Sequence, residues 1–165
     1  WVWKELVNRR NGMDKYYNPY QAQELRIPAS YREKVSQYTM TAPKDGAASS
    51  RDHSPFPRMV DFWFLAVCVG ASSSDPDVQD SVSWHKFMDG TILSSDAWRV
   101  DFLSLLAIAK TGDAAIVLEP SKVMDICNRL AAKGLPIVED MLTGGSEPIW
   151  NLSEMILQAM PSTGE

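Results

Sequence analysis

The chain has 165 residues, 18.4 kDa, 45% hydrophobic residues and six Trp, which suits one domain, or one domain with a long arm, around a real core. No apolar run approaches the roughly 20 residues needed to cross a bilayer, and the longest, Phe62 to Ala71, suits a buried helix, which argues against a membrane partner. The net charge of −5 is uneven, with net +4 over residues 1–58 and net −9 over residues 59–165, so a basic arm on an acidic body is expected to meet nucleic acid, an acidic partner, or the body itself.

The chain opens on Trp1 rather than Met, as a segment of a longer chain would, and no charged-then-apolar leader opens it. With no export signal, a cytoplasmic location is expected. There, Cys68 and Cys127, both in apolar helical contexts, read as reduced core thiols. His53 and His85 lack a ligand neighbour at metal spacing, so no metal and no cofactor is expected.

Taken in order, "WVWKELVNRRN" reads as a short helix stopped at Asn11-Gly12. The following stretch to Pro57 carries five Pro and several small-residue breaks. Within it, "SYREKVSQY" predicts a two-turn helix capped by Ser30, with Glu33 as capping-box partner. Ala42 to Ser54 is linker-like. Residues 1–56 thus form a basic, Pro- and Tyr-rich arm, expected to pack on the body or a partner. Residues 57–165 form a helical domain.

In that domain, Pro57 opens and Gly70 closes an apolar helix. "SVSWHKFMDG" reads as a short element, taken as helix. The next helix is capped by Ser95, with Asp96 in its first turn and Trp98, Phe102, Leu105, Leu106 and Ala109 at core spacing. Lys110 suits its last turn and Gly112 its left-handed terminus. "AAIVLEP" reads as a short strand or an extended connector. Pro120 and Ser121 open a helix with Val123, Ile126, Cys127, Leu130 and Ala131 inward, closed by Lys133 and Gly134. Pro136 starts a short helix, and a last one points Ile149, Leu152, Ile156 and Leu157 inward. The fold class is mainly α, a compact domain of about five helices behind a loop-rich basic arm.

Candidate chemistry is sparse. Lys110-Thr111-Gly112 scrambles the end of a phosphate-binding loop, but it lies at a helix C-terminus with no glycines before it. It is a helix stop. Asp75, Asp77 and Asp80 lack the glycine and twelfth-position Glu of a calcium loop. Asp77 and Glu119 imitate the carboxylates of a metal-dependent nuclease, the alternative reading, though Glu119 to Lys122 is one residue too long and Pro120 interrupts the strand. No Gly-x-Ser-x-Gly is present, and Asp52-His53-Ser54 is local sequence rather than a triad. No catalytic residue is assigned.

The remaining signal is the arm. Arg9, Arg10, Lys15, Arg26, Arg32 and Lys34 are interleaved with Tyr16, Tyr17, Tyr20 and Tyr31. Arg and Lys neutralise phosphates while Tyr stacks on bases; the same types anchor protein interfaces. A groove-reading regulator of DNA would need a polar, basic helix face that no helix here carries.

Three blocks resemble a known family. "RIPASYREKV", "SPFPRMVDFWFLAVCVGA" and "FLSLLAIAKTGDAAIVLEPSKVMDICNRLAAKGLPIVEDML" are similar, in order and spacing, to the fourth Dnd-system-associated protein family, small proteins encoded beside DNA phosphorothioation genes. The resemblance spans about Arg26 to Leu142 and implies a prokaryotic cytoplasmic protein tied to DNA modification and antiphage defence. It implies no catalytic residues. Together these readings lead to the expectation of a non-enzymatic accessory subunit of a defence (restriction) complex, with protein subunits as partners and DNA backbone as a further one for the arm.

Overall fold

A computed structural model describes residues 17–40, 50–76, 78 and 81–159. Arg9, Arg10, Lys15, Tyr16, the expected first helix, most of the linker-like segment, Asp77 and Asp80 lie outside the described residues.

The described chain is mainly helical, as its periodicity predicts. Strand β1 (Glu24–Pro28) leads through a 3-10 turn (Ala29–Tyr31) into α1 (Arg32–Tyr38). Helix α2 (Met59–Ser72), strand β2 (Trp84–Asp89), a 3-10 turn (Gly90–Ser95) and α3 (Ala97–Thr111) follow. A further 3-10 turn (Ala114–Leu118) precedes α4 (Pro120–Leu142) and α5 (Pro148–Ala159).

Helices α2 and α4 form the centre, running in opposite senses in backbone contact. A Cβ added at Gly70 would lie 2.0 Å from the Leu130 carbonyl oxygen, and one added at Gly134 would lie 2.0 Å from that of Ala66. Only glycine permits this approach. It also corrects two expected boundaries. Gly70 does not end α2, which runs on to Ser72, and Lys133-Gly134 does not end α4, which continues through Pro136 to Leu142. Both glycines read as stops because helix interiors rarely accept them; here tertiary contact overrides propensity. Around the crossing pack Trp63, Ala66, Val67, Cys127, Leu130 and Ala131. Burial pushes the Cys127 thiol up to about 12, which makes it an inert core group.

Residues 17–40 are built into the same core through Tyr20, Leu25, Ile27, Val35 and Tyr38. Strand β1 pairs antiparallel with β2, Ile27 opposite His85 and Arg26 opposite Lys86, with a bulge between Leu25 and Arg26. "WHKFMD" is therefore strand rather than helix, because β1, from an earlier and distant part of the sequence, supplies its ladder. Asn128 of α4 closes the outer edge of β1: its Oδ1 accepts from Arg26 N at 2.9 Å and its Nδ2 donates to Glu24 O at 3.0 Å. A short edge is thus satisfied by one buried amide.

Several ends differ from expectation. Helix α1 starts at Arg32 after the 3-10 turn, with no side-chain cap from Ser30. Asp96, not Ser95, precedes α3, and Ser95 closes the preceding turn. "AAIVL" is a 3-10 turn, neither strand nor extended, because the Asp113 carboxylate accepts from Ala115 N at 2.8 Å and starts it. Gly112 does take the left-handed stop, with φ 70°. Lys110 donates to the Ala71 carbonyl at 2.9 Å, so its cation serves the end of α2. Among the described residues no helix is long and apolar enough to cross a membrane.

Candidate interaction face

The site starts from two i,i+3 pairs in the first turns of parallel neighbours. Arg58 and Asp61 flank the start of α2; Asp96 and Arg99 flank the start of α3. The Arg58 backbone N–H donates to Asp61 Oδ2 at 3.0 Å, and its guanidinium reaches Asp61 Oδ1 and Asp96 Oδ2, both at 3.0 Å. Arg99, with its side chain 8% exposed, bridges the same carboxylates, to Asp61 Oδ1 at 2.5 Å and Asp96 Oδ2 at 3.1 Å. Two cations and two anions thus alternate in a closed ring. Burial alone would raise the Asp61 carboxyl, but the hydrogen bonds from Arg58 and Arg99 outweigh it and hold the group below its ordinary value. Arg99 Nε has no hydrogen-bond partner; the guanidinium lies instead against two rings, 5.1 Å from the Phe64 centroid and 4.9 Å from that of Trp98.

On this floor sits an apolar surface. Trp98 is 54% exposed, Phe102 37% and Leu105 65%, and their spacing places them one above another along α3. Phe64 of α2 packs edge-on to Trp98 and Phe102, both at 5.1 Å. The residues of α3 that enter the core are Val100, Leu103 and Ala107. The expected inward stripe of Trp98, Phe102, Leu105 and Ala109 is therefore on the outside, and Leu106 lies at its edge, partly buried. The helix is apolar on two faces, and the one bearing Val100, Leu103 and Ala107 is turned to the core. In α5, Ile149 and Leu152 are partly buried as expected, whereas Ile156 and Leu157 are exposed. In α4 the expected face is the buried one, apart from Ile126, which is partly so.

The arm's described residues do not converge on one surface. Arg26 pairs with Asp125 at 3.3 Å, its guanidinium 5.6 Å from the Trp84 ring. Lys34 pairs with Glu139 of α4 and lies 5.1 Å from the Tyr31 ring. That hydrogen bond raises the Lys34 pKa, while burial and then the Glu139 charge raise that of Tyr31. Tyr17 and Arg32 are exposed. Two of the arm's cations thus meet the acidic body itself, one of the three destinations its charge allows. Glu119 is exposed and pairs with Lys122 at 2.7 Å. Among the described residues no group of three or more His, Cys, Asp or Glu is placed to hold a metal ion.

Chemically, a Trp-Phe-Phe-Leu surface with a buried guanidinium beneath has the composition of an interface centre. Sequence reasoning missed it as a site because the same side chains satisfied a core pattern. The ring of charges had a visible signal, Arg-x-x-Asp and Asp-x-x-Arg at two helix starts. In comparisons with known proteins, no family model, no curated protein and no solved structure matches the chain.

Proposed function

We propose that this protein is a non-enzymatic adaptor that docks a protein partner on the α2–α3 face formed by Phe64, Trp98, Phe102 and Leu105. The observation that carries the reading is three large apolar side chains held out to solvent on a helix whose opposite side is fixed in the core. Holding them there exposes apolar area that burial would favour by about 25 cal/mol per Å², and docking recovers it. The charge ring fixes the relative positions of the two helices, so the surface is preorganised and little ordering is lost on binding. On the resemblance described above, the partner is a subunit of a prokaryotic, DNA-modification-linked defence complex, and the adaptor works in the cytoplasm. Direct contact with nucleic-acid backbone has less support, because Arg26 and Lys34 already face Asp125 and Glu139.

The test is affinity capture from the native host, with and without nuclease, comparing the wild-type chain with Leu105→Asp. Retention of a defence-locus protein by the wild type after nuclease, and its loss from the variant, supports the reading. Retention by both chains equally, or recovery of nucleic acid alone, overturns it.

A further inference from the structure

A small cavity of about 190 Å3 opens between α1, β1, β2 and the first turn of α2, and it shares no residue with the docking face. Its walls are apolar. Ile27 and Val35 are buried, and Met59 and Phe87 are partly buried against the core. Arg32, Val35 and Ser36 fall at i, i+3 and i+4 of α1, so they share the face that borders the cavity. Strand β2 adds His85, which lies opposite Ile27 in the ladder.

The polar part of the lining is basic. Arg32, His85 and Lys86 border the cavity and, among the described residues, no Asp or Glu does, although residues 59–165 are net −9. The Lys86 ammonium is already engaged, with Asp89 at 2.6 Å and Glu24 at 3.4 Å, and the Ser36 hydroxyl donates to Arg32 O at 3.2 Å. Arg26, Lys34, Arg58 and Arg99 each face a carboxylate, whereas Arg32 and His85 form no ion pair among the described residues. A guanidinium is a planar fork of N–H donors that matches a carboxylate through two parallel bonds, and an imidazole N–H adds another donor. Size narrows the ligand further. At about 30 Å3 per water in the liquid, the volume equals about six waters, below the roughly 300 Å3 at which sites for drug-sized ligands begin. It suits an acid of a few carbons or the last residue of a chain. Inorganic phosphate would leave the apolar walls unfilled.

We propose that this cavity binds a carboxylate carried on a short branched apolar group, the acid held by Arg32 with His85 beside it and the apolar group against Val35, Met59 and Phe87. A free branched-chain acid and the C-terminal valine or leucine of a polypeptide both present that chemistry. The site is independent of the docking face.

Titration of the isotope-labelled full chain, followed by amide chemical shifts, tests this with isovalerate, its neutral analogue isovaleramide, and acetylated glycyl-glycyl-valine with a free C-terminus. The expected result is saturable shifts at Arg32, Ser36, His85 and Phe87 with isovalerate or the peptide. Isovaleramide should bind about tenfold or more weakly than the acid, because it offers no charge to the guanidinium. Arg32→Gln should weaken acid binding by a similar factor. Arg32 is exposed, so the variant is expected to fold, and unchanged amide shifts along α4 verify that. Should it not fold, the comparison of acid with amide on the wild-type chain decides alone. Peptide binding about tenfold tighter than isovalerate identifies a chain end as the ligand, and equal or weaker peptide binding identifies a free acid; both support the site. No saturable shift with either acid, equal binding of isovalerate and isovaleramide, or equal acid binding by wild type and folded Arg32→Gln overturns the proposal.

Discussion

Gly70→Ala adds one methyl group at the tightest point of the fold. The new Cβ would sit 2.0 Å from the Leu130 carbonyl oxygen, 2.9 Å from the Leu130 carbonyl carbon and 2.9 Å from the Gly134 nitrogen. All three are helix backbone, so no side chain can rotate away. Relief requires α2 and α4 to separate by more than an ångström, which loosens Ala66, Val67, Cys127 and Ala131 together. In an exposed helix the same change would stabilise by about 1 kcal/mol. Here overpacking at the upper end of its range, about 3 kcal/mol, opposes that gain. A net loss of about 2 kcal/mol lowers Tm by roughly 4–8 °C for a chain of this size. Gly134→Ala should behave alike, since its Cβ meets Ala66 O at 2.0 Å, and the double variant should cost less than the sum because one separation relieves both. Urea denaturation followed by circular dichroism measures this. A neutral or stabilising Gly70→Ala would refute the close crossing and return both glycines to ordinary helix positions.

Gly112→Ala provides the contrast: its Cβ meets nothing within 4 Å, so only the φ of 70° opposes it, and a loss of about 1–2 kcal/mol is expected by the same denaturation assay. Asn128→Ala leaves Arg26 N and Glu24 O without their partner and should cost about 2 kcal/mol, with faster amide exchange at Arg26. Asp61 is held below its ordinary value in the folded state, so its contribution is present above the unfolded carboxyl value near 3.9 and is lost as pH falls through the folded one. Thermal melts between pH 7 and pH 2 should therefore show a shallower acid decline for Asp61→Asn than for the wild type; an unchanged decline contradicts the ring. Leu105→Asp, at an exposed position, should leave stability within about 0.5 kcal/mol in urea titration while lowering binding of a hydrophobic dye.

The helical class, the left-handed stop at Gly112 and the buried face of α4 were legible because each rests on local periodicity or on one residue's conformational range. What failed was non-local. Gly70 and Gly134 carry the signature of a stop, and only the partner helix turns them into contact points. "WHKFMD" has no turn signal of its own and becomes strand because β1 lies beside it. In α3, Trp98, Phe102 and Leu105 form as good an apolar stripe as Val100, Leu103 and Ala107, and only the packing of the helix in the fold decides which of them faces the core. The arm's charge had three possible destinations, and for Arg26 and Lys34 it is the acidic surface of α4. The candidate face was thus present in the sequence as a pattern, with its direction reversed.

The central claim is that the outward stripe on α3 is a docking surface. Capture from the native host, after nuclease, with wild type and Leu105→Asp side by side at matched thermal stability, tests it most directly. The account predicts a defence-locus protein retained by the wild type and lost from the variant. Equal retention by both chains would place the interface elsewhere and contradict it.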